Sequence, residues 1–166
     1  MLFFPFLGSL FLFIILSNWF GLLPGVESIV LKKGGESIPL LRGTTADLNV
    51  PLALALLTFI VIQWSGIKYI GFLEYAKKFI NFKNPMTVFV GLLEIISEFS
   101  KIISFAFRLF GNIFAGEVLI AVIAFLIPVL ASFPFLALEV FVGFIQALVF
   151  SMLAAVFLNT AMAKTH

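Results

Sequence analysis

The sequence contains no cysteine, and its single histidine, His166, is the last of 166 residues. The absence of cysteine excludes disulfides, thiolate nucleophiles and zinc–thiolate sites, and a single histidine excludes metal sites built from several imidazoles. The sequence also lacks a Gly-x-Ser-x-Gly motif, so it offers few residues from which a catalytic site could be built. We therefore expect no metal, no cofactor and no enzymatic active site in this chain.

Charged residues are scarce as well, at 11% of the sequence, whereas 63% is hydrophobic, 23 residues are Phe and the mean hydropathy is +1.24. Soluble domains average about 25% charged and about 45–50% apolar residues. The composition therefore indicates a membrane protein with several spans and no separate soluble domain. The net charge of +2 is too small to suggest a nucleic-acid partner, and the basic residues are those expected beside a membrane.

Four apolar segments predict transmembrane helices at about residues 2–23, 48–67, 87–127 and 135–162. The first lacks a basic n-region and a cleavage site, so it does not resemble a signal peptide. The third has 41 residues and would be about 60 Å long, twice the hydrocarbon thickness. We expect an all-α integral membrane protein, a single transmembrane domain over 1–166, whose last two helices form a long, strongly tilted hairpin.

The connections between these segments predict an orientation. Residues 24–46 read as a polar loop, and Asp47 reads as the N-cap of the second helix. The basic loop Lys68–Lys83 predicts a cytoplasmic connection, which also places the C-terminus in the cytoplasm. Within that loop, Tyr69–Phe82 is expected to lie along the membrane surface as an amphipathic helix.

One stretch, residues 94–117, interrupts its apolar sequence with polar groups at intervals of 3, 4, 3, 4 and 4 residues. This spacing forms one stripe on a helix. Its sharpest member is Arg108, which has no acid one turn away and costs about 2.5–3.5 kcal/mol or more in hydrocarbon. A functional role is the first interpretation; a buried ion pair with another acid of the chain, or snorkelling to an interface, is the alternative. The stripe consists of Glu94, Ser97, Lys101, Ser104, Arg108 and Asn112.

Two further carboxylates lie in the apolar segments, Glu117 and Glu139. A membrane environment favours the neutral form of a carboxyl group, so both are candidates for proton transfer. Alternatively, they form a hydrogen bond that locks the hairpin, or contact water near a helix end. Gln146 is seven residues from Glu139 and shares its helix face, with Gly143 between them, where a glycine permits close helix approach.

The segment RLFGNIFAGE, Arg108–Glu117, resembles the signature of subunit a of the F-type ATP synthase membrane sector, bacterial type. The segments SNWFGLLPG, TADLNVPLALAL, LLEIISEFSK and IQALVFSMLAAVFLNTAM resemble the same family in the same order. Family members normally have a further helix before the first of these segments. The sequence begins too late to contain it, so it is either a truncated or a short form.

The resemblance implies a stator that conducts protons through two offset half-channels beside a rotating c-ring, with Arg108 facing the c-subunit carboxylate. It implies that Asn112 and Gln146 surround the arginine, that Glu117 and Glu139 belong to the outer half-channel, and that Glu94 and Ser104 belong to the inner one. Weaker matches near the outer entry are Asn18, Thr45 and Asp47. The implied partners are the c-ring, the peripheral-stalk b subunits and membrane lipid, and the implied location is the bacterial plasma membrane.

Three other classes are possible from the residues alone. A stand-alone transporter or ion channel would use Arg108 to bind an anion, but the sequence shows no internal repeat and no matching Gly/Pro-broken helices. An intramembrane enzyme lacks catalytic residue types, and an inert anchor does not explain the charged stripe.

Overall fold

A computed structural model describes residues 3–23, 30–33, 36–39, 47–79, 85–126 and 132–163. Four of its helices are long and apolar enough to cross a membrane, so the predicted class, an all-α integral membrane protein, is confirmed. In chain order the elements are α1 (Phe4–Gly21), β1 (Val30–Lys33), β2 (Glu36–Pro39), α2 (Asn49–Ile70), α3 (Phe72–Phe79), α4 (Pro85–Leu126) and α5 (Ser132–Met162).

The two strands lie in the segment predicted as a polar loop. They pair antiparallel, with Val30 opposite Pro39 and Lys33 opposite Glu36. The sequence between them is Gly34-Gly35, which is a hairpin signal when two short runs of β-forming residues flank it. The interpretation as a polar loop missed that signal.

The start of α2 differs from the prediction by one position. The N-cap residue is Leu48 and no side chain caps the helix, so the prediction that Asp47 is the N-cap is wrong. At the other end α2 continues to Ile70, and Gly71 then has φ 97°, a conformation that favours glycine. The chain turns there and enters the short amphipathic helix α3.

Helix α4 runs without interruption for 42 residues, which corresponds to about 63 Å. Its face toward α2, α3 and α5 carries the buried residues Gly91, Glu98, Phe105, Ala106, Leu109 and Gly116. Positions 91, 98, 105 and 116 repeat at near-multiples of 3.6, so they form one stripe. Gly91 lies so close to the Phe79 carbonyl that a β-carbon would overlap it, which fixes the end of α3 on α4.

The core lies where α1, α2 and α4 meet α5. At its centre the Phe105 ring has its centroid 4.6 Å from that of Phe150 and 5.6 Å from that of Phe157. The outward faces carry large exposed apolar side chains, among them Ile60, Phe99 and Phe141. An apolar exterior of this extent is what a bilayer-embedded chain presents.

Candidate functional site

Arg108 lies near the middle of α4, at the edge of its buried face. None of the six stripe residues is buried: Ser97 and Ser104 are exposed, and Glu94, Lys101, Arg108 and Asn112 are half-buried. The guanidinium donates a hydrogen bond from Nη2 to Ser104 Oγ, at 3.1 Å. Over the described ranges no carboxylate forms an ion pair with Arg108. The cation is thus held by a neutral hydroxyl one turn earlier on its own helix.

A small cavity lies where the C-terminal halves of α1 and α4 meet the start of α5, a region we call the Glu139 end. Its volume is about 30 Å³, enough for a water molecule. Four predicted site residues contribute to its wall, and they come from three helices. They are Asn18 of α1, Asn112 and Glu117 of α4, and Glu139 of α5, beside Gly21, Leu22, Ile113 and Gly143.

The Glu139 carboxyl group is held at the crossing of α5 and α4. It packs directly on Gly116, where a β-carbon would overlap all three of its carboxyl atoms. Glycine at this position therefore makes the space that the carboxyl group occupies. The neighbouring Glu117 lines the same cavity and has contacts of its own.

Helix α1 is joined to α5 beside this cavity by two side-chain hydrogen bonds. The buried Asn18 donates from Nδ2 to the Gly143 carbonyl at 3.2 Å, and Trp19 donates from Nε1 to the Val140 carbonyl at 3.1 Å. A β-carbon on Gly143 would lie 3.3 Å from Asn18 Cβ, so glycine permits the close approach of α1. Asn18 therefore lines the small cavity and also joins α1 to α5.

A second, wider cavity of about 220 Å³ adjoins the first. Its wall includes Glu117, Gly21 and Leu22, which also belong to the small cavity, together with Ile120, Ala121 and Leu136. Glu117 thus lines both the wider cavity and the small one.

Gln146 lies one turn beyond Gly143 on α5 and is buried, with 8% of its surface exposed. It does not line either cavity, and within the part of the chain that the structure describes its Nε2 has no hydrogen-bond partner. A buried amide donor without a partner is uncommon, so this side chain is poised for a polar contact.

A second polar cluster lies toward the N-terminal end of α4, which we call the Glu98 end. Glu98 is buried and accepts hydrogen bonds from Lys101 Nζ at 2.6 Å and from Gln63 Nε2 at 2.9 Å. The Tyr75 hydroxyl of α3 donates to Gln63 Oε1. Four residues of three helices thus form one continuous network.

Comparison with known proteins identifies the family. The sequence model of the family described as "ATP-synt_A: ATP synthase A chain" matches residues 1–159. The chain belongs to the ATP synthase A chain family. It is 39% identical over 162 residues to "ATP synthase subunit a, chloroplastic" of Oedogonium cardiacum, a match covering 98% of this chain and 60% of that relative. The chain therefore spans about three-fifths of the length of the curated relative it matches.

In this member of the ATP synthase A chain family, the remaining predicted residues have separate locations. Ser104 contacts Arg108, and Glu94 is half-buried near the Glu98 end, where its charge acts on Tyr75. Asp47 is exposed just before α2 and lines neither cavity at the Glu139 end. Thr45 lies outside the described residues.

The network at the Glu98 end was not predicted for this family member. Burial raises the pKa of the Tyr75 phenol to about 12, and the negative charges of Glu98 and Glu94 act in the same direction. The Glu98–Lys101 spacing of three residues is a helix ion-pair signal that sequence reasoning could have used. Gln63 and Tyr75 carry no such signal. The described residues contain no group of three or more His, Cys, Asp or Glu able to hold a metal ion.

Proposed function

We propose that this chain is a proton-conducting stator subunit of a rotary F-type ATP synthase, with Arg108 facing the carboxylate of a rotating c-ring. One observation carries the proposal. Arg108 lies between two polar clusters on the same helix, about 15 Å from Glu98 and about 14 Å from Glu117 along the axis. A proton path in two offset halves requires polar groups on opposite sides of such a cation.

The outer half-path uses the Glu139 end. Protons enter through the wide cavity, pass Glu117 and reach the small cavity shared with Glu139, Asn18 and Asn112. Carboxyl groups in an apolar environment take up and release protons, which suits both glutamates to a relay. From there a proton neutralises a c-subunit carboxylate, which then turns into the lipid.

Arg108 acts on the next carboxylate. A guanidinium keeps its proton, so it favours the ionised form of an acid that arrives beside it and drives the release of that acid's proton. The leaving proton exits on the other side, past Ser104 and Glu94. The fixed positive charge also opposes direct proton passage between the two halves. Gln146 supports the arginine region, since its buried Nε2 has no hydrogen-bond partner among the described residues.

The remaining expectations belong to the same proposal. The chain acts in a membrane, with the c-ring, the peripheral-stalk b subunits and lipid as partners, and carries no catalytic site of its own. The Lys68–Lys83 connection and the C-terminus lie on the cytoplasmic side. A bacterial plasma membrane stays a prediction, because the named relative is chloroplastic. The single transmembrane domain with a tilted α4–α5 hairpin also stays a prediction.

Substitution of Arg108 by Ala tests the proposal. In membrane vesicles that contain the native complex, ATP-driven proton pumping should be lost, while the soluble sector, once detached, should hydrolyse ATP at the normal rate. Unchanged pumping would rule out the role of Arg108. Purification of the complex in mild detergent is the companion measurement, since an oligomer of small hairpin subunits bearing a membrane carboxylate should remain with this chain.

A further inference from the structure

The Glu98–Lys101 pair lies on the same helix as Arg108 and close to the same stripe. Lys101 precedes Arg108 by seven residues, so the two side chains leave α4 in nearly the same direction, about 10 Å apart along its axis. Glu98 is rotated toward the buried face, with 6% of its surface exposed. Lys101 is therefore a second cation, two helical turns from Arg108.

The structure holds the Lys101 ammonium away from the exposed face. Its Nζ lies 2.6 Å from Glu98 Oε1 and 5.0 Å from the centroid of the Phe157 ring on α5. The other carboxylate oxygen of Glu98 accepts a hydrogen bond from Gln63. Both oxygens thus have donors, and the lysine is drawn toward α5.

The net charge along this part of α4 depends on Glu98. From position 98 to position 116 the charged residues are Glu98, Lys101 and Arg108; with Glu98 ionised, its charge cancels that of Lys101, and Arg108 is left as the net positive charge. Glu94, two turns before Lys101 on the stripe, has contacts of its own. Without Glu98, two unit cations about 10 Å apart would face the same surface in a weakly screened environment.

We propose that Glu98 is a positioning residue that masks the charge of Lys101, so that an arriving c-subunit carboxylate meets a single centre of attraction, at Arg108. This inference rests on the proposed function. It assigns to Glu98 an electrostatic role, distinct from taking up and passing on the transported proton.

A double substitution separates these two roles. Glu98→Gln leaves Lys101 uncompensated, and we expect ATP-driven proton pumping in vesicles of the assembled complex to fall about three- to tenfold. Glu98→Gln combined with Lys101→Gln removes both charges together, and pumping should return close to the wild-type rate. Tyr75→Phe is the matched control, because it removes the far end of the network without changing any charge, and it should pump normally.

Each possible result either supports or overturns the proposed role of Glu98. Normal pumping by Glu98→Gln overturns the proposal, and so does a double variant as slow as Glu98→Gln, since the carboxyl group itself would then be needed. A Tyr75→Phe defect equal to that of Glu98→Gln would show that network geometry matters instead of charge, and would also overturn it. If Glu98→Gln fails to accumulate in membranes, as judged by immunoblot, the double variant decides alone: normal pumping supports the proposal and slow pumping overturns it.

Arg108→Ala is assayed in the same vesicles. If Arg108→Ala pumps normally, the proposed function fails. If Arg108→Ala is inactive while Glu98→Gln pumps normally, the charge-masking role alone fails.

Discussion

The Glu139 carboxyl group of α5 rests directly on Gly116 of α4, in the space that a β-carbon would fill. We expect Gly116→Ala to displace the carboxyl group from the cavity wall and to lower ATP-driven proton pumping by about tenfold, because a shift of about 1 Å at a reacting group is costly. The measurement is the initial pumping rate of vesicles, normalised to the amount of this chain.

Gly8→Ala is the control for this substitution. Gly8 lies in α1, and a β-carbon there has nothing within 4 Å. Both changes raise helix propensity by about 0.5–1 kcal/mol, so a loss confined to Gly116→Ala reports the displaced carboxyl group. Equal rates for the two variants would contradict the prediction.

Asn18 links α1 to α5 through its hydrogen bond to the Gly143 carbonyl. Asn18→Ala removes a buried bond and should lower the free energy of unfolding by about 1–2 kcal/mol. Thermal unfolding of the detergent-purified complex, followed through this chain, measures the effect. Ser9→Ala should have little effect, since the exposed Ser9 hydroxyl bonds within its own helix; a larger loss there than at Asn18 would refute the argument.

Arg108 should not tolerate replacement by lysine. An ammonium group gives up its proton far more readily than a guanidinium when it is desolvated, and it lacks the planar fork of donors. We expect Arg108→Lys to lose coupled pumping to nearly the same extent as Arg108→Ala. Coupled pumping at more than about half the wild-type rate by the lysine variant would show that any cation suffices.

Tyr75 should make the stability of the α3 region depend on alkaline pH. Its pKa is raised from 10.0 to about 12, so the folded state holds the phenolic proton more tightly than the unfolded state does. The corresponding stabilisation is fully present below pH 10 and is lost as the pH rises through about 12. Wild-type stability should therefore fall more steeply across that window than that of Tyr75→Phe; parallel curves would contradict the assignment.

The spacing of polar and apolar residues predicted which side chains share a helix face better than it predicted which helices pack together. The stripe around Arg108 follows from the 3.6-residue repeat, and so does the absence of an acid one turn from it; the observed partner, Ser104, is at i−4. Periodicity does not say which helices meet. The packing of Glu139 on Gly116 and the bond from Asn18 to Gly143 join residues far apart in sequence, so they required the fold.

Two local features show a different limit of prediction from the sequence. The cap of α2 is shifted from Asp47 to Leu48, within the usual uncertainty of helix boundaries. The strand pair at Val30–Lys33 and Glu36–Pro39 was missed although a Gly-Gly signal was present, because the charged residues around it favoured a loop.

Glu98, Arg108 and Glu117 are all carried by the unbroken helix α4. The angles between these side chains around the helix axis are consequently fixed by the number of residues that separate them. Inserting or deleting one residue between any two would turn one group by about 100° around the axis relative to the other. The length of this segment is therefore as strict a requirement on the sequence as the identity of its charged side chains.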